Sequence, residues 1–335
     1  MSTVTENEQA TPVLDQSRHE LAALLAGCGV SRAERVLFSL SGRDRVRWLN
    51  GMVTNNIRDL APGHGVYAFV LNPQGHILGD LYVFNRGESL IAEIERVQAE
   101  TLVPILRKYI IMDKVEIEDL SDKLVAIALT GPKSADVLAA VGLGKDLGTL
   151  ETAEESWQQT TVTTVRGDNP SVPSYELWIA AEKAESLWNA LLQAGAERVG
   201  NETLETVRIL CGIPKIGQDV RDRTLPHETG QERALNFTKG CYIGQEIVER
   251  IRSRGAVHRT LIGFEIEGPV PSTGTKVQNE GKDVGEITSV MSAPLKGKWL
   301  AIGFLRKEFA GGDKALTAGD ASVKPATLPF KNMFA

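Results

Sequence analysis

Eight residues, Lys239 to Glu246 (KGCYIGQE), bring together a thiol, an amine, an aromatic ring and two glycines. Gly240 and Gly244 leave the backbone with little side-chain cover, so that a partner can come close. Lys239 stands near Cys241, where its charge would favour the thiolate, the reactive form of the side chain. Tyr242 offers a ring for stacking and a hydroxyl for a polar partner. Gly244 then opens a predicted helix through Ile247, Val248 and Ile251, and the first amides of a helix are free donors for an anion. The competing reading makes Cys241 a small buried hydrophobe and Tyr242 part of a core, and spacing alone favours it.

Other fragments carry less. GLGKDLG (Gly142 to Gly148) lacks the spacing of a dinucleotide loop and follows a predicted helix, which makes it a helix cap and loop. His227-Glu228 begins a zinc-protease-like string, but Gln231 stands where the second ligand belongs and Gly230 spoils the helix. Cys28, Cys211 and Cys241 contain no CxxC pair, so a disulfide framework is excluded and a reducing compartment fits. An iron–sulfur cluster usually takes about four thiolates, so any cluster-related role is one of assistance or repair, unless a partner, a second subunit or other ligands complete the site.

The formal net charge of −6 argues against a surface that coats nucleic acid broadly. Lys239, Arg250, Arg252, Arg254 and Arg259, set against Glu246 and Glu249, still form a local basic run suited to an anion or to tRNA, or simply a solvated helix end. The N-terminal residues have neither the apolar run of a secretory signal nor the Arg-rich, acid-poor character of a presequence. No stretch approaches the ~20 apolar residues of a membrane span, so a cytoplasmic protein with no membrane partner is expected.

These residues need a scaffold. A flexible tail is expected over 1–14, then a helix over Ser17 to Ala26, with Ser17 and Glu20 as a capping box. VLFSL, VYAFVLN, ILGDLYVF and SLIAEI read as strands, the middle two forming a hairpin at Pro73-Gln74-Gly75. Helices are predicted near Val46 to Val53 and Val97 to Tyr109. The pattern then restarts with VEIEDL, LVAIALTG, TTVTTV and SYELWIA, with helices from Pro132, Lys183 and Asn201, the last capped by Asn201. Short links favour antiparallel pairing, so the class is α+β. From 257 to 335 short apolar stretches alternate with Gly- and Pro-bearing turns, the texture of a small β-barrel.

The strings LPHE (Leu225 to Glu228) and NFTKGCYIGQEIVERIRSRG (Asn236 to Gly255) resemble the signature of the YgfZ family. That family is related to the T-protein (GcvT, aminomethyltransferase) of the glycine cleavage system. Gly285 to Ser289 (GEITS) is similar to a further family stretch. The resemblance implies two interlocked α+β domains with antiparallel sheets over 15–256, then a C-terminal β-barrel over 257–335. It also implies a reduced folate, tetrahydrofolate or a relative, in a central channel. The expected role is support of iron–sulfur enzymes, including those of tRNA thiomodification.

Carried over residue by residue, Lys239, Cys241 and Tyr242 fall on the signature. Glu176 matches the T-protein acid that takes two parallel donors from the pterin edge. Arg208 matches an arginine near folate, and Asn72 and Asp80 bracket a hairpin that supplies a catalytic Asp. T-protein has two adjacent acids there and this chain has Gly79-Asp80, a departure that speaks against aminomethyl transfer. The leading expectation is therefore a folate-dependent accessory factor, with Cys241, Lys239 and Asp80 as its reactive groups. A one-carbon transferase and a tRNA- or protein-binding adaptor using Arg250 to Arg259 are the alternatives.

Overall fold

The computed structural model describes residues 7–255, 257–311 and 314–334. Two antiparallel sheets pack face to face, each with helices on its outer side. The first sheet runs in the order Glu197–Arg198, Gly29–Arg32, Leu124–Thr130, Ser174–Ala180, Thr160–Arg166, Thr152–Trp157. The second runs Gly65–Leu71, Ile77–Asn85, Leu90–Glu95, Arg35–Ser41, Glu116–Asp119. All pairings are antiparallel except that of Gly29–Arg32 with Glu197–Arg198.

Side-chain alternation along each strand assigns the layers. Val36, Phe38, Leu81, Val83, Ala92 and Ile94 face the helices Arg45–Met52 and Arg96–Lys108. Leu177 and Ile179 face the helices Ser134–Ala140 and Ala184–Gln193. Between the sheets, Leu37, Phe84 and Ile91 of one meet Ala126, Val165 and Trp178 of the other. The predicted α+β class with antiparallel sheets is borne out, as is the barrel. Its six strands close in the order Arg259–Glu267, Trp299–Arg306, Lys282–Val290, Lys276–Asn279, Leu316–Ala318, Ala321–Ala326.

Interlocking comes from two elements that the sequence reading misplaced. The short strand Gly29–Arg32 was not predicted, yet it joins the first sheet before the chain crosses to the second at Arg35. VEIEDL does not restart the pattern, because Glu116–Asp119 pairs with Arg35–Ser41 and ends the second sheet.

The N-terminal helix spans Asn7–Ala26, so the expected tail is helical from residue 7, while 1–6 lie outside the described residues. Ser17 is therefore mid-helix and bonds Glu202 instead of capping. Glu20 receives the Gly200 amide at 2.7 Å and the Thr203 hydroxyl at 2.9 Å, so it caps the Asn201–Cys211 helix from outside. Against the cost of its partial burial, these bonds hold the Glu20 carboxyl below its ordinary range.

The barrel is tied to the rest through Asp219, which is 2% exposed. Its oxygens accept from Arg208 Nη1 at 2.7 Å, the Lys215 amide at 2.8 Å, Thr288 Oγ1 at 2.5 Å and Ser289 Oγ at 2.7 Å. Thr288 and Ser289 belong to the GEITS string, so that string is a docking point for the barrel. Removing one partner from a buried charge network costs about 3–5 kcal/mol. Asp219→Ala is expected to lower unfolding stability by about that amount in urea titration, and a loss under ~1 kcal/mol would refute this role for Asp219.

Candidate functional site

A cavity of about 870 Å³ opens where the inter-sheet layer turns polar, within the size range of small-molecule sites. Its wall includes Arg35, Tyr82, Glu93, Glu95, Asp168 and Glu176. The alternation that aims Leu37, Phe84, Ile91 and Trp178 between the sheets aims Arg35, Tyr82, Glu93, Glu95 and Glu176 there too. They are the polar continuation of an apolar layer.

Arg35 lies among three carboxylates. Its Nε is 3.0 Å from Glu93 and 3.6 Å from Glu176, and its Nη1 is 3.4 Å from Glu95. Burial alone would pull the guanidinium down, but Glu93, Glu176 and Glu95 together hold it above its ordinary value. Burial and then the neighbouring Glu176 raise the Glu93 carboxyl well above the carboxylate range. Glu176 has one buried oxygen, Oε2, with no hydrogen-bond partner among the described residues. An enclosed acceptor without a partner is one that a shared proton or a ligand's N–H group would satisfy. Glu176 itself lines the cavity, where the resemblance expects it to meet the pterin edge.

Of the expected folate residues, Glu176 lies on the cavity wall. Arg208 also lines the wall, but its five N–H donors all have protein acceptors: Glu205 twice, Ile213 O, Asp219 and Ser289. It braces the barrel and has no donor left for a ligand. Asp80 shares the strand face of Tyr82 and Phe84, although it is not on the cavity wall. It accepts from Tyr67 Oη at 2.5 Å and from Gln98 Nε2 at 2.8 Å. Burial raises its carboxyl, and those two hydrogen bonds only partly offset the effect.

Gly79 points the other way. A Cβ there would lie 3.0 Å from Gln98 Oε1 and 3.1 Å from Leu102, against the Arg96–Lys108 helix. The acid missing at 79 would therefore face the core, and the acid on the inter-sheet side is the one retained. This removes the force of the Gly79 departure as an argument against transfer.

The signature segment lies elsewhere. Among the described residues that line the cavity, none comes from Lys239 to Glu246. Lys239 Nζ donates to the carbonyls of Asn50, Val53 and Asn55 at 2.7, 2.6 and 2.5 Å, closing the end of the Arg45–Met52 helix. Burial and the nearby Arg58 pull its amine down to about 7. Three carbonyl acceptors oppose them, because a neutral amine has only two N–H groups and the full set requires the ammonium form. Lys239 is spent on backbone and is not an activator of the thiol.

Tyr242 packs in a core with Tyr67, Phe69, Leu71 and Ile77, and burial raises its phenol to about 12. The glycines answer to packing as well. Gly244 has φ +83°, and a Cβ would lie 2.7 Å from Asn72 O. Asn72 accepts the Gln74 and His76 amides at 3.0 Å each, so it shapes the hairpin rather than a folate site. Cys241 is exposed, as expected of a reactive thiol, whereas Cys28 and Cys211 are buried, the latter pushed up to about 11 by burial.

The basic run is largely neutralised. Arg250 pairs with Glu246 at 2.5 Å and Arg252 with Glu249 at 3.6 Å, while Arg259 grips Glu228 of LPHE through two 3.0 Å bonds. Arg254 is exposed. Glu93, Arg35 and Glu95 were not singled out from sequence. The signal for them was present, since LIAEIE places acids on one face of an otherwise buried strand.

Two face-packed antiparallel sheets that share a carboxylate-lined cavity, with a barrel docked beside it, define the class. The chain belongs to the glycine cleavage T-protein family: residues 9–239 match the GCVT N-terminal domain and residues 259–330 the glycine cleavage T-protein C-terminal barrel domain. It is 31% identical over 288 residues to an aminomethyltransferase of Rippkaea orientalis, covering 80% of this chain and 75% of that one. It is 27% identical over 306 residues to an aminomethyltransferase of Rubrobacter xylanophilus, covering 90% and 82%. Its fold is that of glycine cleavage system aminomethyltransferase T from Bartonella henselae, at a TM-score of 0.86, 21% identity, and coverage of 95% and 90%. No helix among the described residues is long and apolar enough to cross a membrane.

If Lys239 is a brace, Lys239→Met should cost about 3 kcal/mol or more in unfolding stability, since three bonds to a charged group are lost. The folded fraction should keep its ligand affinity within about threefold. Intact stability with lost affinity, read by urea titration and calorimetry, would return Lys239 to the binding site.

Proposed function

We propose that this chain binds a reduced folate in the inter-sheet cavity and acts, in the manner of YgfZ proteins, as an accessory factor for iron–sulfur enzymes. Glu176 carries the binding half of this reading: its carboxyl lies on the cavity wall and keeps one oxygen, Oε2, without a hydrogen-bond partner among the described residues. Family membership supports the same ligand, since the T-protein chemistry of this fold is folate-dependent. The accessory half rests on the YgfZ-like strings at 225–228 and 236–255 and on the exposed thiol of Cys241 within them. Clients of this kind include enzymes of tRNA thiomodification, and the setting is the cytoplasm. When bound, the folate would supply a one-carbon carrier, and the chain's own part is to hold its ring.

A second reading, aminomethyl transfer, is favoured by Asp80, which lies on the inter-sheet face of its strand. Against it, both Asp80 oxygens are engaged by Tyr67 and Gln98, and burial favours the protonated carboxyl. A charge-assisted pair of hydrogen bonds contributes about 1.5–3 kcal/mol. Glu176→Gln should therefore weaken tetrahydrofolate binding about 10- to 100-fold by calorimetry. Incubation with an aminomethyl-carrying donor and tetrahydrofolate should release no ammonia. Absence of binding by the wild type would end the folate reading, and ammonia release abolished by Asp80→Asn would establish the transferase instead.

A further inference from the structure

We propose that Glu93 is a positioning residue of the ligand site: Glu93 and Glu176 share one proton across the gap between the sheets, and a ligand that donates to Glu176 expels it. The inference rests on the folate reading of the cavity and goes beyond it, because it names how the site selects the ring edge.

Glu93 is 3% exposed and stands on the inter-sheet face of Leu90–Glu95. Glu176 approaches it from the opposite sheet: Arg35 Nε lies 3.0 Å from Glu93 and 3.6 Å from Glu176, so the two carboxyl groups flank one N–H group. Two carboxyl groups can hydrogen-bond only with a proton between them. The groups around the pair support its retention. From the second sheet come Arg35, Glu95 and the phenol of Tyr82, and from the first comes Glu176 itself. Tyr82 Oη donates to Asp168 at 2.8 Å, and Asp168 is already paired with Arg233. That leaves Arg35 as the cation for three carboxylates in a low-dielectric gap. Full ionisation there is costly, and neutralising the most buried acid is the cheapest relief. Burial and Glu176 hold Glu93 well above the ordinary range, in agreement with this geometry.

The shared proton engages one oxygen of Glu176, and because the residue lines the cavity the other is the oxygen a ligand meets. A ligand edge with adjacent N–H donors, as in an amino-pyrimidine or guanidine-like ring, would donate to that oxygen and stabilise negative charge on the pair. The proton then leaves Glu93 for solvent, so the complex holds fewer protons than the free protein. By linkage the affinity rises as pH rises through the titration of Glu93, and levels off above it. A carboxylate or phosphate edge would be repelled, so the pair selects the pterin end of the ligand over its acidic tail.

The test is calorimetry of tetrahydrofolate with the full chain in two buffers of different ionisation enthalpy, from about pH 6 to about pH 9. Wild type should release a measurable fraction of a proton per ligand, up to about one, with affinity rising by at most about tenfold per pH unit. Glu93→Gln keeps the shape and a donor but cannot ionise, so it is read by its proton release and pH profile. It should show no such release and a flat pH profile. Wild-type binding without proton exchange, or unchanged release from Glu93→Gln, would overturn the inference while leaving the folate reading intact. No wild-type binding would overturn both.

Discussion

Only Ala33 and Glu34 separate a strand of one sheet from a strand of the other, and much of the molecule follows from that crossing. A chain that changes sheets in two residues forces the sheets to lie close, face to face, at that point. Arg35 is the first residue on the far side, and its side chain reaches back into the gap toward Glu176 while holding Glu93 and Glu95 of its own sheet. The apolar layer of Leu37, Phe84, Ile91 and Trp178 can close only where such charges are absent. Where they begin, the sheets stay apart and a cavity remains. Binding and interlocking are thus two results of one geometric constraint.

The signature strings serve a different need. The segment after the Asn201–Cys211 helix must return to the second sheet before the barrel begins, and it is lashed there at several points. Lys239 fills the carbonyl end of the Arg45–Met52 helix, and Tyr242 fills the core beneath Tyr67 and Phe69. Gly244 lets the next helix start against the Asn72 hairpin. Glu228 then holds Arg259 at the first barrel strand, while Asp219 holds Thr288 and Ser289. Cys241, the string's thiol, is exposed. The exposed thiol and the inter-sheet cavity thus lie apart on one scaffold.

Much of the fold was legible because alternation and turn chemistry act locally. The hairpin at Pro73 to Gly75, the strand SYELWIA and the barrel texture all lie where expected. Strand Gly29–Arg32 was not legible, since four residues carry too little periodicity and its partners are distant in sequence. The site was legible only in part. Glu176, taken from the family resemblance, lies on the cavity wall, whereas the side chains of Lys239, Tyr242, Asn72 and Arg208, expected in reactive or ligand roles, are engaged in packing and hydrogen bonds within the protein. A residue's type says what it can bind. Its neighbours in space decide what it does bind, and those neighbours come from segments up to 189 residues away, as for Lys239 and Asn50.

The central claim is that the ligand occupies the inter-sheet cavity at Glu176 and not the face that carries Cys241. A crystal structure of the tetrahydrofolate complex tests it most directly. The account predicts ring density between the sheets, with the amino-pyrimidine edge on Glu176 and close to Glu93. Ring density against Cys241 and the Gln245–Arg254 helix, with the cavity carboxylates untouched, would contradict it.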